Sequence, residues 1–518
     1  MKSWIGDAIV GAHMDYVEEL SGAGVRSGQL QAICIGSGGF VRRKLPLFEE
    51  LRRLSTFRSN YAEDTRHHHH RHGDVFVRRL GARSLYLCHP RLAEHVFRTN
   101  VLNYPKGRDY DMLRPLIGEG IIVSDGEVWA RQRRLLAPEF RLNQVGRYLP
   151  TINAEIDLLS DQWRAAAAAG ASVNVGQDMQ NFALRVLGGA IFRSDFSREA
   201  EVIGETLEIC LVQGTKQMLS MGLLPPWLPT PGNLRARAAE QRLNHSVRGL
   251  IAEGRALSRG GCPFSGGAAR APGPGEAATQ AAAKPAGQAA GAADLLTRML
   301  DAKDPDTGAG MSEQQLLDEI KSLILAGHET SALVLSWALY LLARHPRIEA
   351  RVLEESRRVL GDQPARLEDV DSLVFTRQVL LETMRLYPPV PGVTRQALAD
   401  DSVEGVEIRA GESVTIPLYL LHRHPEFWAD PDRFDPDRFA PDRVDAIDPY
   451  SYLPFLRRRR ACLGEHFAML ELVVALASIV SRFSLARVDE GEIGIRPIST
   501  LRMARPLVMR PRERVPAT

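Results

Sequence analysis

A mainly α-helical fold with small β-sheets is what this sequence predicts, on three observations. Apolar residues recur at helical spacing in several long segments. One of them, opened at Ser312 and closed at His345-Pro346, runs for roughly 30 residues, or about 45 Å at 1.5 Å per residue, enough to cross a domain. Strand signals are short, the clearest being Val75–Leu80 and Ser84–Leu87 around Gly81-Ala82-Arg83, which read as a hairpin. The composition is that of a globular protein, 518 residues with 44% hydrophobic and 25% charged. A net charge of +2 gives no global electrostatic case for a nucleic-acid partner.

Taken in order, residues 1–45 have weak periodicity and read as an N-terminal extension, partly disordered. They hold no clear signal peptide and no apolar run of the roughly 20 residues a spanning helix needs. Five cysteines (Cys34, Cys88, Cys210, Cys262, Cys462) are odd in number and scattered, which argues against a disulfide framework and for a reducing compartment. The expectation is a cytoplasmic protein with no integral membrane segment. A helix starts near Leu47, with Leu47, Phe48, Leu51 and Leu54 on one face. The run Arg66-His67-His68-His69-His70-Arg71-His72 reads as a solvated loop before the first strand, with transition-metal binding as the alternative. Helices follow at Glu127–Leu136 and from about Tyr148 to Ala168. Between 255 and 293 the chain turns to Gly, Ala, Pro and Ser and lacks the apolar bulk that offsets ordering entropy, so it reads as a flexible surface insertion within one domain. Residues 511–518 form a tail.

Ser312-Glu313-Gln314-Gln315 has the form of a capping box opening the long helix. That helix is apolar nearly all round, hence buried, yet its centre reads Ala326-Gly327-His328-Glu329-Thr330. A threonine there can bond a backbone carbonyl and open the helix locally; a satisfied packing notch is the plainer reading. Glu382 and Arg385 stand three apart among apolar neighbours, so the pair is expected to be at least partly buried and to need a further partner, for which Arg438 is the candidate.

The segment Phe455-Leu456-Arg457-Arg458-Arg459-Arg460-Ala461-Cys462-Leu463-Gly464 sets one cysteine between four arginines and an apolar helix beginning at Glu465. A sulfur at a helix N-terminus beside guanidiniums is expected to favour the thiolate, a nucleophile or metal ligand. No second Cys or His lies at zinc spacing, and a single protein thiolate on a metal is most often on haem iron; a buried inert cysteine is the alternative.

Together these segments resemble a cytochrome P-450, a haem-thiolate monooxygenase, of the bacterial soluble type, over about residues 46–510 as a single domain. The cysteine loop follows the form F-x-x-G-x-R-x-C-x-G at every fixed position but the first glycine, which is Arg458; the helix centre is A-G-x-E-T, and Glu382–Arg385 is E-x-x-R. Pro436–Phe439 gives P-D-R-F, and Trp129–Arg133 gives W-x-x-x-R. Each motif alone is weak, but the five in this order are specific.

The resemblance implies a haem held between a long distal helix and a proximal Cys-loop helix. Cys462 would be the axial ligand of the haem b iron, with Phe455 near the sulfur and Gly464 allowing close approach of the backbone. Trp129, Arg133, Arg395 and Arg460 would meet the haem propionates. Glu382, Arg385 and Arg438 would form a structural network, and Glu329 with Thr330 would manage protons during insertion of one atom of O2 into an apolar substrate. The 56 residues after Cys462 hold no flavin-sized domain, so NAD(P)H electrons would come through a ferredoxin and its reductase or a flavoprotein reductase. The arginines near Cys462 would suit an acidic carrier, although Arg457 and Arg459 also read as plain surface.

Pocket-lining segments would be about 101–125, 205–231, 322–334 and Val390–Thr394. Their residues Leu113, Leu116, Ile117, Leu211, Met218, Leu223, Leu224, Val390 and Val393 suit a fatty acid, terpenoid or polyketide-like molecule. Met221–Trp227 reads as a lid. One departure stands out: Arg458 replaces the glycine of the cysteine loop, where positive φ is expected at a strain on the order of 1 kcal/mol or more. That departure keeps two alternatives open, a peroxide-driven or isomerase-type haem-thiolate enzyme and a non-catalytic sensor or recruiting protein.

Overall fold

The computed structural model describes residues 40–79, 83–192, 197–219, 227–258 and 294–515, and Arg42 onward forms one compact unit. Most of the N-terminal extension, the Gly81-Ala82 turn, the Met221–Pro226 segment and nearly all of the 255–293 insertion lie outside the described residues.

Helices dominate. Those that position the site are α1 (Leu54–His72), α2 (Gly126–Leu136), α3 (Leu149–Ala168), α4 (Val175–Ile191), α5 (Glu313–Arg344), α6 (Val374–Leu386) and α7 (Glu465–Arg482). The first strands are β1 (Arg43–Lys44), β2 (Val75–Arg78) and β3 (Ser84–Leu87), and two later ones, β4 (Val393–Gln396) and β5 (Ser413–Ile416), complete a five-stranded sheet ordered β1-β2-β3-β5-β4. The predicted hairpin is its antiparallel pair, with Val75 opposite Leu87. The pairing of Arg43 with Phe76 and the full burial of Leu45 put residues read as extension inside the folded unit.

Ser312 Oγ accepts from Gln315 N at 3.1 Å, capping α5, but the Gln315 side chain accepts from Arg131 instead of closing the box. His345, forced out of helical geometry ahead of Pro346, ends α5 at φ −128° and ψ 70°. Around α5 pack α4 and α7, and residues such as Phe182, Ile324, Trp337, Val473 and Leu476 form one continuous core. Among the described residues α5 is the one helix long and apolar enough to cross a membrane, and 83% of its apolar window is buried inside the fold, as a core helix should be.

Two local expectations fail for physical reasons. The histidine run is not a loop; it is the last turns of α1, bent at Asn60, with His68 fully buried. The short helix Leu47–Arg52 forms as predicted, yet its apolar side faces outward, Phe48 at 77% exposure, while Glu50 is buried. Carboxylates orient it: Glu50 accepts from the Arg79 backbone N–H at 3.1 Å and Glu49 faces the histidines of α1.

Candidate active site

Helix α7 begins directly after the cysteine. Gly464 is its N-cap at φ −88°, a conformation open to any residue, and a Cβ there would meet nothing within 4 Å. Its glycine therefore answers to open space rather than to backbone strain. The Cys462 N–H donates to Phe455 O at 2.7 Å, closing the loop, and the residue is open to solvent although protein atoms crowd round its thiol. Burial pushes the thiol pKa up, against the backbone N–H groups of Gly464 and Glu465 and the charge of Arg133. The thiolate expected from helix and arginines is thus not favoured by the chain alone, because desolvation outweighs both; a bound cationic metal would have to supply the rest.

Arg458 adopts φ +57° and Leu456 φ +53°, so the arginine takes the left-handed conformation usually left to glycine. The arginine run divides. Arg457, Arg458 and Arg459 are exposed, whereas Arg460 turns inward to Asp125 and lies 4.3 Å from the Trp129 ring centroid. Arg133 donates to Ala461 O at 2.9 Å, next to the cysteine, and stands 5.6 Å from the same ring. Arg395, on β4, is buried and bonds Thr394 O. It bridges to Lys106, which sequence reasoning missed. An isolated lysine in a loop gives no pattern to find.

Lys106 Nζ donates to Ile121 O and Ser124 O at 2.7 Å, and burial, then Arg460, pulls its pKa down to about 7. Asp125, which accepts from Arg460, Lys106 N and Gly126 N, is the carboxylate bound into this group. The Nε and one terminal nitrogen of Arg460 are buried without a hydrogen-bond partner. Leaving such donors unmade costs about 1–3 kcal/mol or more for a charged group, so this cluster fits an anionic ligand better than it fits itself. A haem, with two carboxylates and an iron, matches this set of cations with Arg133 and Arg460 beside the cysteine loop.

Across the core, α5 is buried at every position from Leu316 to Leu342 except Ala326, Gly327 and Thr330, which share one face. Thr330 Oγ1 donates to Ala326 O at 2.6 Å, the back-bond expected of it. Glu329 points elsewhere: its carboxylate accepts from Thr500 Oγ1 at 2.8 Å and pairs with Arg502. One residue on, Ser331 donates at 2.6 Å to Glu471 of α7, whose carboxyl burial raises to about 8.

Glu382 and Arg385 are fully buried, 2.7 and 2.8 Å apart through two bonds. Arg385 also donates to the carbonyls of His422, Pro431 and Arg433. Arg438 reaches Glu382 at 3.5 Å, a looser third member. Of the pocket-lining candidates, Leu116, Ile117 and Leu211 are packed into the core, Val390 is 37% exposed, and Leu223 and Leu224 lie outside the described residues.

A family model described as Cytochrome P450 matches residues 41–509. Cyclooctatin synthase of Streptomyces melanosporofaciens is 32% identical over 86% of this chain and 89% of its own. Cyclooctat-9-en-7-ol 5-monooxygenase of the same organism is 30% identical over 80% of this chain and 83% of its own. Among solved structures, the haem domain of cytochrome P450DA superposes with a TM-score of 0.75 at 25% identity, covering 92% of this chain and 98% of that one.

Proposed function

Because the chain belongs to the cytochrome P450 family, we propose that it inserts one oxygen atom of O2 into an unsaturated, carbocyclic, terpenoid-type substrate, by hydroxylation or epoxidation. The enzyme is a cytochrome P450 monooxygenase with haem b, O2 as co-substrate and NAD(P)H-derived electrons arriving through redox partners. When bound, haem b supplies the redox-active iron at which O2 is reduced.

Cys462 would hold the iron, Phe455 and Gly464 would frame the sulfur, and Trp129, Arg133, Arg395 and Arg460 would hold the propionates. The observation that carries the reading is the buried Arg460, unpartnered at two nitrogens in the same loop as Cys462. Thr330 would present the proton-handling hydroxyl on the open face of α5. Glu329 would act from behind it, and only after exchanging Arg502 for water. The substrate class is supported by the alkenol in the name of the second relative.

For electrons, a ferredoxin with its reductase fits the exposed arginines Arg457 and Arg459 by charge; a flavoprotein reductase is the other source. Arg459 also lines a cleft of about 430 Å³ with Trp129, Arg133 and Arg134. The cytoplasmic placement rests on the scattered cysteines, of which Cys88, Cys210 and Cys462 are free thiols.

The deciding experiment is the spectrum of the reduced protein under carbon monoxide, with Cys462→Ala as the control. A thiolate-type band in the parent and none in the variant is expected; its absence in the haem-supplemented parent would sink the reading. Thr330→Ala should let O2 and NAD(P)H consumption continue while product falls, which a peroxide-driven, isomerase-type or non-catalytic haem protein would not show.

A further inference from the structure

The histidine run at the end of α1 faces two ways, and one face has the makings of a metal site outside the machinery described above. We propose that Glu49, His68 and His72 bind a divalent transition-metal ion of the zinc type. His68 and His72, four apart, lie on one side of α1, and Glu49 comes across from the helix before it.

The ligand atoms have the right mutual spacing. Glu49 Oε1 is 3.1 Å from His72 Nε2 and 3.3 Å from His68 Nδ1, and all three ligand atoms lie within 4.8 Å of one another. A tetrahedral zinc with bonds of about 2.0–2.1 Å has ligand–ligand edges of roughly 3.3 Å. His67 Nε2, 3.9 Å from the same oxygen and partly exposed, or a water, can complete the set.

A second observation points the same way. His68 is fully buried, and neither of its ring nitrogens makes a hydrogen bond. Its Nε2 stands 3.6 Å from Asp64 Oδ2, and Asp64 is fixed by Arg53 at 2.7 Å and Arg78 at 2.6 Å. With Nε2–H directed at that carboxylate, Nδ1 carries the free lone pair and faces Glu49. At 3.6 Å the Nε2–carboxylate pair falls short of a hydrogen bond, and a small shift of the ring would complete the carboxylate–histidine–metal arrangement that orients ligating imidazoles.

The opposite face of α1 makes the contrast. There His69 and His424 both bond Asp74, at 2.8 and 3.1 Å, and His424 Nδ1 accepts from Glu426 N. That cluster satisfies itself as hydrogen bonds, whereas on the first face His72 bonds Glu49 at 3.1 Å and His68 is left over.

The test uses the full-length haem-loaded protein, made without an affinity tag, stripped by a chelator and titrated with Zn2+ against a chromophoric competitor. One equivalent is expected to bind, weakened about tenfold or more by Glu49→Gln or His72→Gln and unchanged by His69→Gln. His68 is too buried for a clean substitution, so the two partly exposed ligands carry the test. The carbon monoxide spectrum should be the same in all three variants, which separates this site from the haem. No stoichiometric binding, binding that survives both substitutions, or loss in His69→Gln instead would overturn the proposal.

Discussion

Arg385 and Arg460 are both guanidiniums withdrawn into protein, and they differ in how much of their donor capacity the chain itself uses. Arg385 makes five hydrogen bonds, two to Glu382 and three to backbone carbonyls of the segment around Pro431. Arg460 makes one, to Asp125, and keeps two buried nitrogens without a partner. A saturated cation has no valence left for a ligand, so its role is to hold α6 against the following segment. An unsaturated one is stable only beside something the chain does not supply. The same division holds for carboxyls: Glu382 accepts on both oxygens, whereas Glu471 bonds Ser331 through one and leaves the other bare.

The largest effect should come from the saturated member. Arg385→Met leaves the buried Glu382 with only the looser contact of Arg438 at 3.5 Å and the Asp435 N–H, a loss of about 3–5 kcal/mol. Denaturant unfolding should show it in the protein with and without haem alike. If the loss appears only with haem bound, Arg385 is not purely structural and the contrast breaks.

Arg460→Met should behave in the opposite sense. It removes two unsatisfied donors, so the haem-free protein should lose little stability or gain on the order of 1–3 kcal/mol. Haem should dissociate faster, as read by transfer to a scavenging apo-globin. Parallel losses in both states would place Arg460 with Arg385.

Glu471 extends the comparison to pH. Its carboxyl titrates near 8 in the folded protein, above the usual carboxyl value, so between about 4.5 and 8 the native state holds a proton the unfolded chain has released. Stability from this group is therefore present at low pH and lost as pH rises through that window. Glu471→Gln removes the dependence, and its gain in melting temperature should be larger at pH 8 than at pH 5. An equal gain at both would show that Glu471 is already ionised.

How much of this could be read from sequence follows the same line. Cys462, Arg385 and Thr330 belong to patterns with fixed spacing, so residue type and order are enough to single them out as candidates. The cap at Ser312 and the stop at His345-Pro346 were legible because they act within four residues. What escaped depends on distant chain. The outward face of Leu47–Arg52 follows from Arg79 and the α1 histidines. Lys106 matters because the carbonyls of Ile121 and Ser124 and the strand carrying Arg395 come to it. The high thiol pKa of Cys462 reflects burial, which local charge counting does not register.

The smallest predicted effect concerns Arg458, whose side chain is exposed and whose cost lies in the backbone. At φ +57° it bears the left-handed penalty that glycine avoids, about 1 kcal/mol. No packing is lost on truncation, so Arg458→Gly should stabilise the protein by up to that amount, offset in part by the extra freedom glycine gives the unfolded chain. The loop bonds to be kept are Cys462 N to Phe455 O and Ala461 N to Arg458 O, both backbone, so the thiolate-type carbon monoxide band should not move. A moved band would mean that the arginine, rather than the backbone shape it accepts, sets the environment of the sulfur. Arg458 would then join Arg460 as a group with business at the haem.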